Sequence, residues 1–122
     1  MTPLGQKLRS LREARGVSLK EMAKALNVSS AYLSALEHGR RGTPTWLLMQ
    51  RIIAYFNVIW DEAEELQRLA ELSDPRVTIE TGGLAPEATE LANRLARGID
   101  RLDAEDLVFL RDEVIRRVGR KG

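Results

Sequence analysis

The sequence predicts an all-α protein, in which a five-helix domain is followed by a linker and two C-terminal helices. Three observations support this prediction. Apolar residues recur at helical spacing through most of the 122 residues. Residues that favour helix starts and helix stops separate these stretches. Only one segment, residues 76–81 (RVTIET), has the β-branched content and rough alternation that are typical of a strand.

The first two helices of the predicted domain, residues 1–73, have clear boundaries. A leucine stripe covers 4–15 and ends at Gly16, a common helix stop. Residues 18–21, SLKE, form a capping box, in which the serine and glutamate side chains each bond the backbone amide of the other residue. We expect the second helix to begin there and to end at Asn27.

The third predicted helix is short and has an unusual surface. It covers about 30–38, with Ser29 or Ser30 as the N-cap and Gly39 as the stop. One of its faces carries only small or uncharged side chains, and two arginines follow directly after the helix. A helix that only covers a core usually presents charged side chains to water. This face therefore favours contact with another molecule.

Thr43-Pro44 is predicted to start the fourth helix, because threonine caps helices well and proline fits the first helical position. The helix runs to about Phe56 and places Trp46 on its core stripe. Three apolar residues fall outside that stripe, namely Leu47, Leu48 and Tyr55. The fifth helix is acidic, covers about 60–72 and is expected to place Trp60 in the core.

The second half of the chain has a different organisation. A linker over 74–85 contains the candidate β-strand at 76–81, which ends at two glycines. Helices are predicted over about 86–97 and 103–118, within a segment of 86–122 that we expect to mediate dimerisation or partner binding. Two helices alone bury too little surface to be a stable domain. They should pack on the first domain, on a second copy or on another protein.

Charge is distributed unevenly, although the net charge is only +1. Residues 1–60 carry nine Lys or Arg and three Glu, 61–74 carry six acids and one Arg, and 75–122 carry nine of each sign. A first half at +6 is typical of a module that binds an anion such as nucleic acid. The chain has no Cys, which excludes disulfides and thiolate metal sites.

The location predicted from the sequence is the cytoplasm, at the nucleoid. No apolar run approaches the roughly 20 residues that a membrane span needs, so we expect no membrane contact. The first ten residues lack the apolar core of a signal peptide. Adjacent acids over 61–65 point in different directions on a helix, and no catalytic combination stands out. We therefore expect no metal site, no cofactor and no enzyme activity.

Residues 18–58, SLKEMAKALNVSSAYLSALEHGRRGTPTWLLMQRIIAYFNV, resemble the Cro/cI-type, or XRE-family, helix-turn-helix regulators of phage and bacteria. The resemblance extends over about residues 4–66. It implies a five-helix lambda-repressor-like DNA-binding domain whose third helix enters the major groove of double-stranded DNA. It also implies a homodimer on a pseudo-palindromic operator.

The resemblance assigns roles to individual residues, and the small side chains of the third helix suit a groove about 12 Å wide. Positions that would face the bases are Ser30, Ala31, Tyr32, Ser34 and Ala35. Positions that would contact phosphates are Lys20, Ser29, Arg40, Arg41, Thr43 and Thr45. A structural ion pair is expected between Arg12 and Glu37.

Two functional hypotheses follow from this assignment. The first is a sequence-specific, dimeric transcriptional repressor whose C-terminal helices carry dimerisation. The alternative is an antitoxin, or a regulator under an antagonist protein, in which those helices bind the toxin or the antagonist. In either case the surplus apolar residues are expected at a dimer or partner interface, namely Leu47, Leu48, Tyr55, Leu91, Leu95, Leu107, Leu110 and Val114.

Overall fold

The computed structural model describes residues 1–119, and these are all-helical, as the sequence predicts. The first unit is Met1–Val77. It contains α1 (Pro3–Arg15), α2 (Leu19–Leu26), α3 (Ser30–Glu37), α4 (Trp46–Phe56) and α5 (Trp60–Glu71). The second unit begins at Thr78. It contains α6 (Pro86–Gly98), a 3₁₀ turn (Ile99–Arg101) and α7 (Ala104–Gly119). Residues 120–122 of the predicted C-terminal segment lie outside the described residues.

One apolar cluster forms the core of the first unit, and all five helices contribute to it. Burial of each large aliphatic or aromatic side chain contributes about 1.5–3 kcal/mol to folding. The cluster consists of Leu4, Leu8, Met22, Ala23, Leu26, Leu33, Leu36, Leu48, Met49, Ile52, Phe56, Val58, Leu66 and Ala70. Its position between the helices fixes which side of each helix remains available to other molecules.

Local capping interactions fix the boundaries of α2 and α3. The Ser18 hydroxyl accepts a hydrogen bond from the Glu21 amide at 3.0 Å, and the Glu21 carboxylate accepts one from the Ser18 amide at 3.4 Å, so the predicted capping box is confirmed. Asn27 ends α2 with φ 60°, a left-handed conformation that asparagine tolerates well. Ser29 then caps α3 by accepting from the Tyr32 amide at 3.0 Å.

The start of α1 is held by residues that lie far away in the sequence. The buried Ser73 hydroxyl accepts a hydrogen bond from the Leu4 amide at 2.9 Å. The Thr2 amide donates to the Glu37 carbonyl at 3.1 Å. The chain after α5 and the last residue of α3 therefore both meet the N-terminus of α1. These bonds satisfy polar groups that would be costly to bury unpaired.

The predicted start of the fourth helix at Thr43-Pro44 is wrong. Helix α4 begins at Trp46, and its N-cap is Thr45, whose hydroxyl accepts from the Leu48 amide at 3.1 Å. Pro44 is buried just before this cap. Thr43 and Thr45 are both suitable N-caps. The use of Thr45 allows Pro44 to be buried before the helix begins.

The face that α4 turns toward the core also differs from the prediction. It is centred on Ile52, so that Leu48 is only 7% exposed and belongs to the core rather than to an interface. Trp46 lies at the edge of this face and is 74% exposed. Trp60 is 81% exposed at the start of α5. The prediction of two core tryptophans is therefore wrong: the buried face of α4 is rotated toward Leu48 and away from Trp46, and α5 buries Leu66 and Ala70 but not its first residue, Trp60.

The candidate strand at 76–81 does not form within the described residues. This segment has neither helical nor strand structure, and its apolar residues Val77 and Ile79 are exposed. A β-strand needs the backbone groups of a neighbouring strand, and residues 1–119 contain no other strand to supply them. The alternating pattern of the sequence does not specify a partner strand.

The second unit has well-defined helices but no buried residue between positions 78 and 119. Pro86 occupies the first turn of α6, as the sequence predicts. The Thr89 hydroxyl donates to the Thr81 hydroxyl at 2.8 Å, which joins the preceding segment to α6. Within the described part of the chain, no helix is both long and apolar enough to cross a bilayer.

We predict that Gly5→Ala strongly destabilises the first unit. A Cβ atom at this position would lie 2.0 Å from the Glu37 carbonyl oxygen, so α1 and α3 would have to move apart. We expect the free energy of unfolding to fall by about 3 kcal/mol or more. Urea denaturation measures this change. Gly42→Ala is the control, because a Cβ there meets no atom within 4 Å. Equal stability of the two variants would contradict the close contact of α1 with α3 at Gly5.

Candidate nucleic-acid interface

Helix α3 has one buried face and one accessible face. The buried residues are Leu33, Leu36 and Glu37. The remaining five are those predicted to face DNA bases, namely Ser30, Ala31, Tyr32, Ser34 and Ala35. Because a helix has about 3.6 residues per turn, Ala31 and Ala35 lie opposite the buried face. Ser30 and Ala31 are exposed, and the other three are half-buried.

The buried end of α3 is tied to α1 by an ion pair. Arg12 Nε donates to Glu37 Oε2 and Arg12 Nη2 donates to Glu37 Oε1, both at 3.1 Å. The Glu37 side chain is 1% exposed and that of Arg12 is 11% exposed. Such two-bond geometry fixes the orientation of both planar groups. It sets the rotation of α3 about its own axis and so determines which side chains face outward.

The chain leaves α3 in a way that places two arginines beside the helix end. His38 ends the helix, with its Nδ1 atom 2.9 Å from the Ser34 carbonyl. Gly39 follows with φ 78°, a conformation that glycine adopts without strain. The Arg40 amide then donates to the Ala35 carbonyl at 2.8 Å. Arg40 and Arg41 are both exposed.

All six residues predicted to contact phosphates have exposed side chains, namely Lys20, Ser29, Arg40, Arg41, Thr43 and Thr45. Lys20 lies in the first turn of α2, whereas Ser29 and Thr45 cap α3 and α4. The two hydroxyl oxygens accept from backbone amides, which leaves their own hydrogens free to donate. Exposed helix starts also attract anions through unpaired backbone amides.

A shallow groove separates the starts of α3 and α4. It encloses about 350 Å³ and is lined by Val28, Ser29, Tyr32, Thr45, Leu47, Leu48 and Arg51. Arg51 is exposed and adds a positive charge beside two predicted phosphate contacts. No sequence motif marks Arg51 as a candidate contact. Only the position of α4 against α3 reveals its place in the groove.

Acidic residues of α5 take part in ion pairs on the surface of the first unit. Among the described residues, no group of three or more potential ligands is close enough to hold an ion. Glu62 of α5 instead lies 3.9 Å from the Lys7 ammonium group of α1. Glu65 pairs with Arg68 one turn later on the same helix. These acids support helix contacts on the surface of the unit.

Helices α2 and α3 form a helix-turn-helix in which the outward face of the second helix is uncharged and exposed cations lie nearby. The family model described as "Helix-turn-helix domain" matches residues 3–72, more than half of the chain. The chain belongs to the XRE family of helix-turn-helix transcriptional regulators. This family consists of DNA-binding regulators and is not a class of enzymes.

Three relatives from Bacillus subtilis (strain 168) share the helix-turn-helix region. The uncharacterized HTH-type transcriptional regulator RghRB is 38% identical over 61 residues, 50% of this chain and 44% of its own length. The HTH-type transcriptional regulator SinR is 28% identical over 68 residues, 52% of this chain and 61% of its own length. The HTH-type transcriptional repressor RghR is 41% identical over 44 residues, 36% of this chain and 33% of its own length.

The chain spans about half the length of the curated relatives it matches. No solved structure matches it significantly.

We predict that Arg12→Ala lowers the free energy of unfolding by about 3–5 kcal/mol, because it leaves the Glu37 carboxylate buried without a partner. Replacing both residues, as in Arg12→Met with Glu37→Leu, should restore much of this loss. Arg9→Ala, at an exposed site on the same helix, is the control. Urea denaturation tests all variants. The account is wrong if Arg12→Ala costs no more than Arg9→Ala.

Proposed function

We propose that the chain is a sequence-specific transcriptional repressor that binds a pseudo-palindromic operator as a homodimer. The observation that carries this proposal is the outward face of α3. It combines small side chains with the exposed Ser29 hydroxyl at the start of the helix and the exposed Arg40 and Arg41 just past its end. The assignment as a repressor is supported by RghR, a relative that is described as a transcriptional repressor. Binding to an operator would place the chain at the nucleoid in the cytoplasm.

The small side chains of α3 allow its backbone to approach the base edges closely. Ala31 and Ala35 can contact thymine methyl groups, whereas Ser30 and Ser34 can donate or accept hydrogen bonds. None of these residues makes the paired hydrogen bonds by which Arg, Asn or Gln distinguish a base. Base contacts should therefore give moderate specificity. Dimer spacing and the shape of the DNA would supply the remainder.

Phosphate contacts should supply most of the affinity. Residues 1–60 carry a net charge of +6, and the six exposed candidates lie at the starts of α2, α3 and α4 or in the segment between α3 and α4. Each phosphate that a cation neutralises releases counterions and steepens the salt dependence of binding. Lys20, Arg40 and Arg41 are the three cations in this set. The hydroxyls of Ser29, Thr43 and Thr45 would set the position on the backbone without adding charge.

The second unit supplies a surface for dimerisation. Nine apolar residues between Leu91 and Val118 expose from 39% to 67% of their surface. Exposed apolar residues in this number are typical of a surface that contacts another protein. They include Leu91, Leu107, Leu110 and Val114, whereas Leu95 is half-buried. Because residues 75–122 carry nine charges of each sign, two copies would not repel one another.

The polar side of α7 is held in order by ion pairs. Arg117 and Arg116 both donate hydrogen bonds to the Glu113 carboxylate. These bonds lower the pKa of Glu113 below its ordinary value, and the bond from Arg117 has the larger effect. Arg116, Arg117 and Glu113 thus pair with one another within one chain. The apolar side of α7 has no such partner among the described residues, which favours that side as the interface.

A toxin or a protein antagonist is the alternative partner for this surface. It is favoured by the absence of any buried residue between 78 and 119, a property expected of helices that are completed by another protein. In that case the helix-turn-helix unit would regulate the operon, and the second unit would bind the partner.

Leu47 is exposed on the first unit and Tyr55 is half-buried there, so Leu47 remains the stronger interface candidate of the two.

We predict that Arg40→Ala weakens binding to all duplexes roughly equally and lowers the slope of log affinity against log salt by nearly one. Ser30→Ala and Ser34→Ala should instead change the ranking of duplexes while leaving this slope unchanged. Fluorescence anisotropy at several salt concentrations measures both effects. Arg68→Ala on the acidic helix is the charge-matched control and should change neither quantity. If Arg40→Ala changed the ranking of duplexes and the serine variants changed the salt slope, α3 would present a different face to DNA.

We predict that Leu91→Glu and Val114→Glu, each in the full chain, shift the dimer toward monomer. A carboxylate in the apolar interface would lose its water without gaining a partner. Asn93→Glu is the matched control, because Asn93 lies on the exposed polar side of α6. Analytical ultracentrifugation over a range of concentrations gives the association constants. An unchanged association constant in both Leu91→Glu and Val114→Glu would exclude this surface as the interface.

A further inference from the structure

We infer that Tyr32 is a positioning residue, which holds the Arg41 guanidinium group in place for contact with DNA. The Cζ atom of Arg41 lies over the Tyr32 ring, 5.6 Å from its centroid. This distance is within the range at which the face of an aromatic ring attracts a cation. The inference rests on the proposed DNA-binding function and adds to it a defined partner for one cation.

The Tyr32 ring is itself held firmly. Its residue is half-buried and packs against the apolar core of the first unit. Its backbone amide donates to the Ser29 hydroxyl, so it belongs to the capped first turn of α3. The ring also lines the groove beside Leu47 and Leu48. The surface that Arg41 contacts is therefore fixed by the fold.

Arg41 needs such support because the backbone around it is irregular. It lies in the segment between α3 and α4, which has no regular secondary structure. Within the described residues, no carboxylate forms an ion pair with it. An exposed arginine in such a segment adopts many rotamers, and binding would remove that freedom. A contact that already restricts the side chain reduces this loss and increases affinity.

Contact with the ring leaves the guanidinium group able to bind DNA. A cation–π contact depends on the charge of the group, whereas its five N–H donors point outward within its own plane and can bond a phosphate. One side chain can therefore contact Tyr32 and a phosphate at the same time. This geometry gives Tyr32 a role different from the base contact expected from the family resemblance. Arg40, the neighbouring cation, has no aromatic ring beneath it among the described residues.

A double-mutant cycle on the full chain tests this inference. Binding of a fixed DNA duplex is measured for Tyr32→Leu, Tyr32→Phe, Arg41→Ala and their combinations. We expect Tyr32→Leu to weaken binding about two- to fivefold, the range of an exposed cation–π contact. Tyr32→Phe should retain near-native affinity, because the ring remains. Tyr32→Leu should have no further effect in the Arg41→Ala background.

Arg40→Ala provides the matched background, since it removes the same charge one residue earlier. There, Tyr32→Leu should still weaken binding by its full two- to fivefold. The inference is overturned if Tyr32→Leu has the same effect in the Arg41→Ala and Arg40→Ala backgrounds. That result would mean that Tyr32 contacts DNA directly or acts only through the fold.

A second measurement examines the contact without DNA. In the NMR spectrum of the free chain, the Arg41 side-chain protons should be shifted upfield by the ring, in the native protein and in Tyr32→Phe. The shift should disappear in Tyr32→Leu, and its absence from the native spectrum would overturn the inference. A native chain that shows the shift but binds no duplex would refute the proposed function while leaving the contact established.

Discussion

Arg12 and Glu37 join α1 to the end of α3 through two hydrogen bonds at a site where Glu37 is almost fully buried. A buried carboxylate is tolerated only when it is paired, so the pairing permits one arrangement of the two helices. Gly5 allows the backbones to meet at the same place, and the Thr2 amide bonds the Glu37 carbonyl. Helix α3 has only eight residues and would be unstable alone. Its orientation, and hence every contact that its outward face makes, depends on this junction.

The junction explains why the two sides of α3 differ so strongly. Leu33, Leu36 and Glu37 are the fully buried residues of α3, and Tyr32 adds a partly buried contact with the core, so Ser30 and Ala31 on the outward side remain exposed. Small residues there would give close approach to DNA but few strong base contacts. Cations and hydroxyls at the helix ends would then supply affinity and position. In this account recognition is divided between a weakly selective helix, a set of phosphate contacts and the spacing imposed by a dimer.

The parts of the fold that were predicted correctly depend on local chemistry. Gly16 and the Ser18–Glu21 capping box act within a few residues, and so the boundaries of α1 and α2 were visible in the sequence. The start and buried face of α4, and the exposure of Trp46 on α4 and of Trp60 on α5, depend on how these helices meet the others. The strand predicted at 76–81 is not formed, because pairing requires a partner strand that no local pattern specifies. The base-facing role of the outward residues of α3 stays a prediction from the family resemblance, whereas the Tyr32–Arg41 contact and the place of Arg51 required the positions of α3 and α4.

The central claim is that two copies of the chain place α3 in successive major grooves of one operator. Selection from a library of random DNA duplexes by the full chain at moderate salt tests this claim most directly. The account predicts enrichment of an inverted repeat whose half-sites have centres about one helical turn, or about 10 base pairs, apart. Enrichment of a single unrepeated site, or of no sequence at all, would contradict it.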